Sequence, residues 1–204
     1  MVNNTYFKTS FTKSANKIEQ LPPDCSIEVA FVGRSNSGKS SAINAITNQN
    51  SLAKTSKTPG RTQLINLFQI DPNDESRFIV DLPGYGYAKV PQKIKQHWEK
   101  ELADYLACRE SLQGVMLMMD IRHTFSEYDE RMLDWCSHSD LAVHILLTKA
   151  DKFKRGAAMN VKQKVVNRLK KDFPQTSVSL FSSTKKTGID EAHQVLDRWF
   201  MFGN

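Results

Sequence analysis

The sequence holds few cysteines, no long apolar run and no internal repeat, and each absence removes a class of protein. Its three cysteines, Cys25, Cys108 and Cys136, form neither a CxxC pair nor a cluster with histidine. That points away from a disulfide scaffold or a zinc site and toward reduced thiols in a cytoplasmic protein. No apolar stretch approaches the roughly 20 residues that span a bilayer. Residues 1–10 lack the basic-then-apolar order of a secretory signal, so no membrane partner is expected. No RNA-recognition motif and no basic stripe interleaved with aromatics is present, which argues against base-by-base reading of a nucleic acid. What is left is a globular chain of 204 residues, 40% hydrophobic and 25% charged. A domain of that size buries roughly 70% of its unfolded surface and needs no metal or disulfide to hold together.

The formal charge is +6, from 28 Lys and Arg against 22 Asp and Glu. Its distribution matters more than its sum. Lys152, Lys154, Arg155, Lys162, Lys164, Arg168, Lys170 and Lys171 fall in one stretch with no acid between them. Lys89, Lys93, Lys95, His97 and Lys100 make a second basic run. Each reads either as a solvated face or as a grip on the backbone of a polyanion such as RNA.

Six short apolar runs recur along the chain: Ile27–Val32, Leu64–Ile70, Phe78–Val80, Val115–Met119, Val143–Leu147 and Val178–Phe181. Rich in β-branched and aromatic residues and without helical period, they predict strands, several buried on both faces. Between them, Ile94, Trp98, Leu102 and Leu106 recur every four residues and predict a helix over roughly 91–108. Val161, Val165, Leu169 and Phe173 predict another that Pro174 stops, Ser126 with Asp129 can cap a third near 126–138, and Ile189–Phe200 carries a fourth. Residues 72–76 are too few for a parallel crossover, so the flanking strands pair antiparallel. The fold class expected is three-layer α/β: a mostly parallel six-stranded sheet with one antiparallel strand and helices on both faces. Residues 1–24 read as an arm or first strand, and 25–204 as one domain.

Gly33-Arg34-Ser35-Asn36-Ser37-Gly38-Lys39-Ser40 matches Gly-x-x-x-x-Gly-Lys-Ser/Thr between a predicted strand and a predicted helix. Glycines let successive N–H groups converge on one anion, and the helix start adds its positive dipole end. Lys39 can neutralise β- and γ-phosphate charge while Ser40 ligates Mg²⁺. Asp81-Leu82-Pro83-Gly84 follows a strand, placing an acid for the metal and a Gly84 N–H for the γ-phosphate. In Lys57-Thr58-Pro59-Gly60-Arg61-Thr62-Gln63, either Thr58 or Thr62 can complete the metal shell. Thr148-Lys149-Ala150-Asp151 supplies a carboxylate that accepts two hydrogen bonds from guanine and none from adenine. The Lys149 stem can lie over the base, and Ser182-Ser183 can offer an N–H to the guanine oxygen.

These stations, in this order, resemble the translation-factor-related small GTPases. The stretches Gly33–Ser41, Lys57–Gln63, Asp81–Ala88 and Asp120-Ile121-Arg122-His123 are similar to the EngB family of bacterial GTP-binding proteins, within the group of TrmE, Era, EngA, EngB and septins. The resemblance implies a free-standing GTPase domain needed for assembly of the large ribosomal subunit and for normal cell division and septation. It selects Thr62 over Thr58 as the metal-binding threonine beside Ser40, and gives Lys39, Thr62 and Gly84 the catalytic roles. It implies nucleotide contacts at Gly33–Ser40, Gly60, Arg61, Thr62, Gln63, Leu64, Asp81, Leu82, Pro83, Gly84, Thr148–Asp151 (with Ala150), Phe181, Ser182 and Ser183. The partners implied are GTP or GDP and a ribosomal precursor or its rRNA, reached through the basic segments 89–100 and 152–171 by a monomer.

One position qualifies the enzyme. Many GTPases carry Gln after Asp-x-x-Gly to orient the attacking water, and here Tyr85 stands there, so slow intrinsic hydrolysis is expected. Asn36 sits where related GTPases hold potassium (K⁺), or else it only braces the loop. Two other classes compete: a nucleotide-gated RNA- or ribosome-binding module whose hydrolysis is incidental, and a metabolic P-loop kinase.

Overall fold

The computed structural model describes residues 4–54, 64–85 and 92–202, with backbone alone for 92–98. Of the expected residues, Thr58, Gly60, Arg61, Thr62 and Gln63, together with Lys89, lie outside those described.

Among the described residues the chain forms β1 (Ser10–Ala15), β2 (Ile27–Gly33), α1 (Lys39–Ile46), β3 (Ile65–Asp71) and β4 (Asp74–Asp81). It continues through α2 (Gln92–Cys108), β5 (Leu112–Asp120), α3 (Glu127–His138) and β6 (Val143–Thr148). It ends with α4 (Arg155–Asp172), β7 (Ser177–Leu180) and α5 (Ile189–Trp199). The strands make one sheet in the order β1-β3-β4-β2-β5-β6-β7. Only β3 runs against the rest, antiparallel to both β1 and β4. The sheet therefore has seven strands where six were expected. The seventh is β1, whose polar sequence Ser-Phe-Thr-Lys-Ser-Ala carries no apolar run and pairs only along the sheet's rim.

Strand period decides the two cores. In β2, Val29 and Phe31 face one side with Ala42, Ile43 and Ile46 of α1 and Val195 and Leu196 of α5. Their neighbours Ala30 and Val32 face the other side, with Tyr105 of α2, Met132 and Leu133 of α3 and Val165 and Leu169 of α4. A central strand buried on both faces reads as a continuous apolar run because both alternating sets need water-free partners.

At the far end of the sheet from the predicted loops, Glu28 is fully buried at the start of β2. Tyr105 Oη donates to its Oε2 at 2.7 Å, and Arg109 Nη2 donates to Oε1 at 2.5 Å and to the Pro22 carbonyl at 2.9 Å. Asp24 accepts from the N–H groups of Glu110 and Ser111. Removing one member would strand a buried charge, a loss of roughly 3–5 kcal/mol. This cluster fixes the C-terminal end of α2.

Candidate functional site: a phosphate loop tied to a base reader

The predicted loops gather at the C-terminal ends of the parallel strands, where open α/β sheets bind ligands. Gly33 ends β2 so close to β5 that an added Cβ would lie 2.8 Å from the Met118 carbonyl oxygen and 2.5 Å from Ser37 Oγ. Gly38 takes φ 94° and opens α1 with no side-chain cap. The first-turn N–H groups are left for an anion.

Lys39 Nζ donates to Asp81 Oδ1 at the end of β4, both groups largely buried. Register explains the meeting, since Asp81 pairs with Phe31 two residues before Gly33. Ser40 follows in α1, half-buried. A hydroxyl and a carboxylate make a sparse, hard-oxygen set that suits Mg²⁺, which keeps waters and phosphate oxygens as its remaining ligands. No group of three or more His, Cys, Asp or Glu among the described residues could hold a metal alone.

Leu82 N donates to the Phe31 carbonyl at 3.1 Å, and beyond Pro83 and Gly84 the chain returns to the phosphate loop. There Ser35 N donates to the Tyr85 carbonyl at 2.8 Å, making a short parallel bridge between Arg34 and Tyr85. The Tyr85 side chain turns into the α2–α3–α4 core and is 8% exposed. A ring placed there does not reach toward the phosphate loop's hollow.

The Thr148–Asp151 motif is bonded to the same loop. Thr148 Oγ1 donates to the Ser37 carbonyl at 2.5 Å, and Lys149 Nζ donates to the Asn36 carbonyl at 2.7 Å. Asn36 and Lys149 both have left-handed backbones. Asp151 Oδ1 accepts from Ser182 Oγ at 2.6 Å, and Ser182 Oγ in turn accepts from Lys185 N. The Ser182 bond, backed by Lys152, holds the Asp151 carboxyl below its ordinary range, so it stays an anion and acceptor. Ala150 N donates to the Phe181 carbonyl, joining the β6 and β7 loops, and Ser183 follows half-buried. A cleft of about 210 Å³ beside the loop is lined by Arg34, Asn36, Ser37, Asp120, His123 and Lys149 among others.

Residues 28–149 match a family model described as "50S ribosome-binding GTPase". A protein of Nitrosococcus oceani named "Probable GTP-binding protein EngB" is 52% identical over 202 residues, covering 99% of this chain and all of that one. The chain belongs to the EngB family of GTP-binding proteins. A Methylococcus capsulatus protein of the same name is 54% identical over 190 residues, 93% of this chain and 89% of its own. Among solved structures, a crystal structure of a probable GTP-binding protein engB matches with TM-score 0.64 at 18% identity, over 85% of this chain and 98% of that one. Era, solved with MgGDPNP and a 16S ribosomal RNA fragment, matches with TM-score 0.64 at 22% identity, over 84% and 56%. At those identities the structures establish the P-loop GTPase fold. EngB membership brings GTP binding and hydrolysis and sets the kinase class aside.

Two features of this EngB chain are not legible as functional in its sequence. Asp120 stands there only as the first letter of an EngB-like stretch, yet in the fold it contacts Lys149 directly. An acid ending β5 beside the strand that leads into the Thr148–Asp151 motif is the available signal. The inward turn of Tyr85 has none, because its partner Asp129 lies 44 residues away.

Proposed function

We propose that the chain is a cytoplasmic, Mg²⁺-dependent GTP switch that hydrolyses slowly and acts in assembly of the large ribosomal subunit, with normal cell division and septation depending on it. The observation that carries the reading is the pair of bonds from Thr148 and Lys149 to the carbonyls of Ser37 and Asn36. They tie the Thr148–Asp151 segment to the Gly33–Ser40 loop, which supports one ligand reaching from the phosphate cradle to a guanine-selective Asp151.

In this reading the Gly33–Ser40 loop wraps the phosphates, Ser40, Thr62 and Asp81 would hold Mg²⁺, and Gly84 senses the γ-phosphate. When bound, the cation would neutralise charge on the β- and γ-phosphates. Lys39 shares that work, turning from Asp81 to the phosphate oxygens. Slow turnover is supported by Tyr85, whose side chain is bonded away from the cradle. The Asn36 amide, exposed on the loop, is where K⁺ would be held. Faster hydrolysis in KCl than in NaCl at equal ionic strength is expected, and equal rates would leave Asn36 as a brace alone.

The ribosomal partner is supported by the basic exposed face of α4 and by the match to a ribosome-binding GTPase family. Cosedimentation with ribosomal particles should depend on whether GDP, a GTP analogue or no nucleotide is present. A second reading, a nucleotide-gated module with incidental hydrolysis, is favoured by the same Tyr85 geometry. Turnover that purified large-subunit precursors do not stimulate would support it. The test of the main reading is competition binding by the full chain and by Asp151→Asn. GTP should outcompete ATP by at least about a hundred-fold, and the substitution should abolish the preference. Equal displacement by the two purines in the unaltered chain would refute guanine recognition.

A further inference from the structure

Asp120 closes β5 in register with Thr148 at the end of β6. Its Oδ2 accepts from Lys149 Nζ at 2.8 Å and from Arg122 Nη2 at 2.7 Å, and its Oδ1 accepts from the Arg122 N–H and Nε, each at 3.0 Å. Partial burial alone would push the Asp120 carboxyl up, but the Arg122 and Lys149 bonds outweigh it and hold the acid well below the ordinary carboxylate range. The carboxylate joins the Thr148–Asp151 segment to the Gly33–Ser40 loop through Lys149.

Lys149 is constrained at both ends. Its backbone sits at φ 59°, and its ammonium is shared between Asp120 and the Asn36 carbonyl. A free lysine side chain carries rotamer entropy, which a ligand packing on the stem must otherwise remove. Fixing the head in the folded protein removes that cost before the ligand arrives. Arg122 is the more exposed of the two cations, and it steadies the carboxylate from the solvent side.

We propose that Asp120 is a positioning residue for nucleotide binding: it pins the Lys149 ammonium on the phosphate loop so that the lysine stem forms a preset platform for the base. This rests on the reading that Lys149 and Asp151 face guanine. In this role Asp120 acts through Lys149, so its influence is on the plane of the base and not on the identity of its edge. Asp151 controls that edge.

The test is a double-mutant cycle on the full chain. Asp120→Ala and the isosteric Asp120→Asn are made alone and with Lys149→Met, and affinity and dissociation rate are measured for fluorescent GDP, IDP and ADP. Hypoxanthine keeps the ring N–H of guanine but lacks its exocyclic amine. Asp120→Ala should weaken GDP and IDP alike by about ten-fold, through faster release, leaving their ratio unchanged. With Lys149→Met present, the same change should add less than about two-fold. A full loss in both backgrounds, a changed GDP/IDP ratio, or no loss at all would overturn the role. Should Asp120→Ala fail to fold, the cycle with Asp120→Asn decides. If the unaltered chain binds ADP as well as GDP, the guanine reading itself has failed. If it prefers GDP and the Asp120 variants match it, only the positioning role has.

Discussion

Tyr85 Oη donates to Asp129 Oδ1 at 3.0 Å, inside a core where both side chains are almost wholly buried. The other oxygen of Asp129 accepts from the Ser126 N–H at 2.9 Å and from Ser126 Oγ at 2.7 Å, so the same carboxylate caps α3. Burial and the neighbouring Asp129 charge push the Tyr85 phenol far above its ordinary value, so it stays a donor. The loop after Gly84 is thereby fastened to the start of α3. Tyr85→Phe should cost about 1–3 kcal/mol in urea unfolding, because it leaves a buried carboxylate oxygen short of a partner. Tyr85→Gln should destabilise further without raising the rate of GTP hydrolysis, which single-turnover measurement can check. A faster Gln variant would mean that the pocket below the loop does not set where this side chain points.

Gly33→Ala should damage the cradle from beneath. The new methyl meets the backbone oxygen of Met118 at 2.8 Å, and a β5 carbonyl cannot swing aside as a side chain would. A loss of about 1–3 kcal/mol in unfolding free energy is expected, with weakened GDP binding by titration.

Buried His144 gives the fold a pH dependence of its own. Its Nδ1 lies 2.7 Å from Ser177 Oγ and its Nε2 2.9 Å from Ser179 Oγ. Burial, reinforced by the Arg198 and Lys162 charges, lowers its pKa to about 4. The unfolded chain binds that proton at about 6.5, so it carries more protons than the native state between the two values. Stability should be fully present above pH 6.5 and fall by roughly 3 kcal/mol as the pH drops toward 4. Urea midpoints across this range, compared with His144→Gln, should show a flatter profile in the variant.

The basic run on α4 separates into cations with different work. Arg168 is engaged, paired with Glu130 of α3 and lying 4.2 Å over the Phe125 ring. Lys164, Lys170 and Lys171 are exposed and make no ion pair among the described residues. Replacing Lys164, Lys170 and Lys171 with alanine should weaken binding to large-subunit RNA and lower its salt slope by about one for each phosphate no longer neutralised. Arg168→Ala should instead lower thermal stability. An unchanged slope in the lysine variants would mean that this helix takes no part in the proposed RNA contact.

Most of the sheet is readable because a strand buried on both faces writes its burial into a run of apolar letters, as Val115–Met119 does. The antiparallel turn of β3 and β4 follows from its short link, and Ser126 with Asp129 foretells the α3 cap, which forms as a full capping box. β1 is harder because its rim position lets every second residue stay polar. Motif spacing locates Lys39, Asp81 and the Thr148–Asp151 loop, since backbone geometry alone brings strand ends together. Pairings between side chains of distant strands, such as Asp120 with Lys149, depend on register, and register is a property of the folded sheet.

The clamp of Glu28, Tyr105 and Arg109 holds one end of α2. α2 follows the loop after β4 but is anchored at its other extremity, so a displacement passed to its start should become a swing about a pivot. Small steps at the near end would be read out as an angle along 17 residues, with Glu99 leaning on Arg131 of α3 along the way. Probes at the two ends of α2 should separate this from a sliding helix: between GDP and a GTP analogue, only the near one should move.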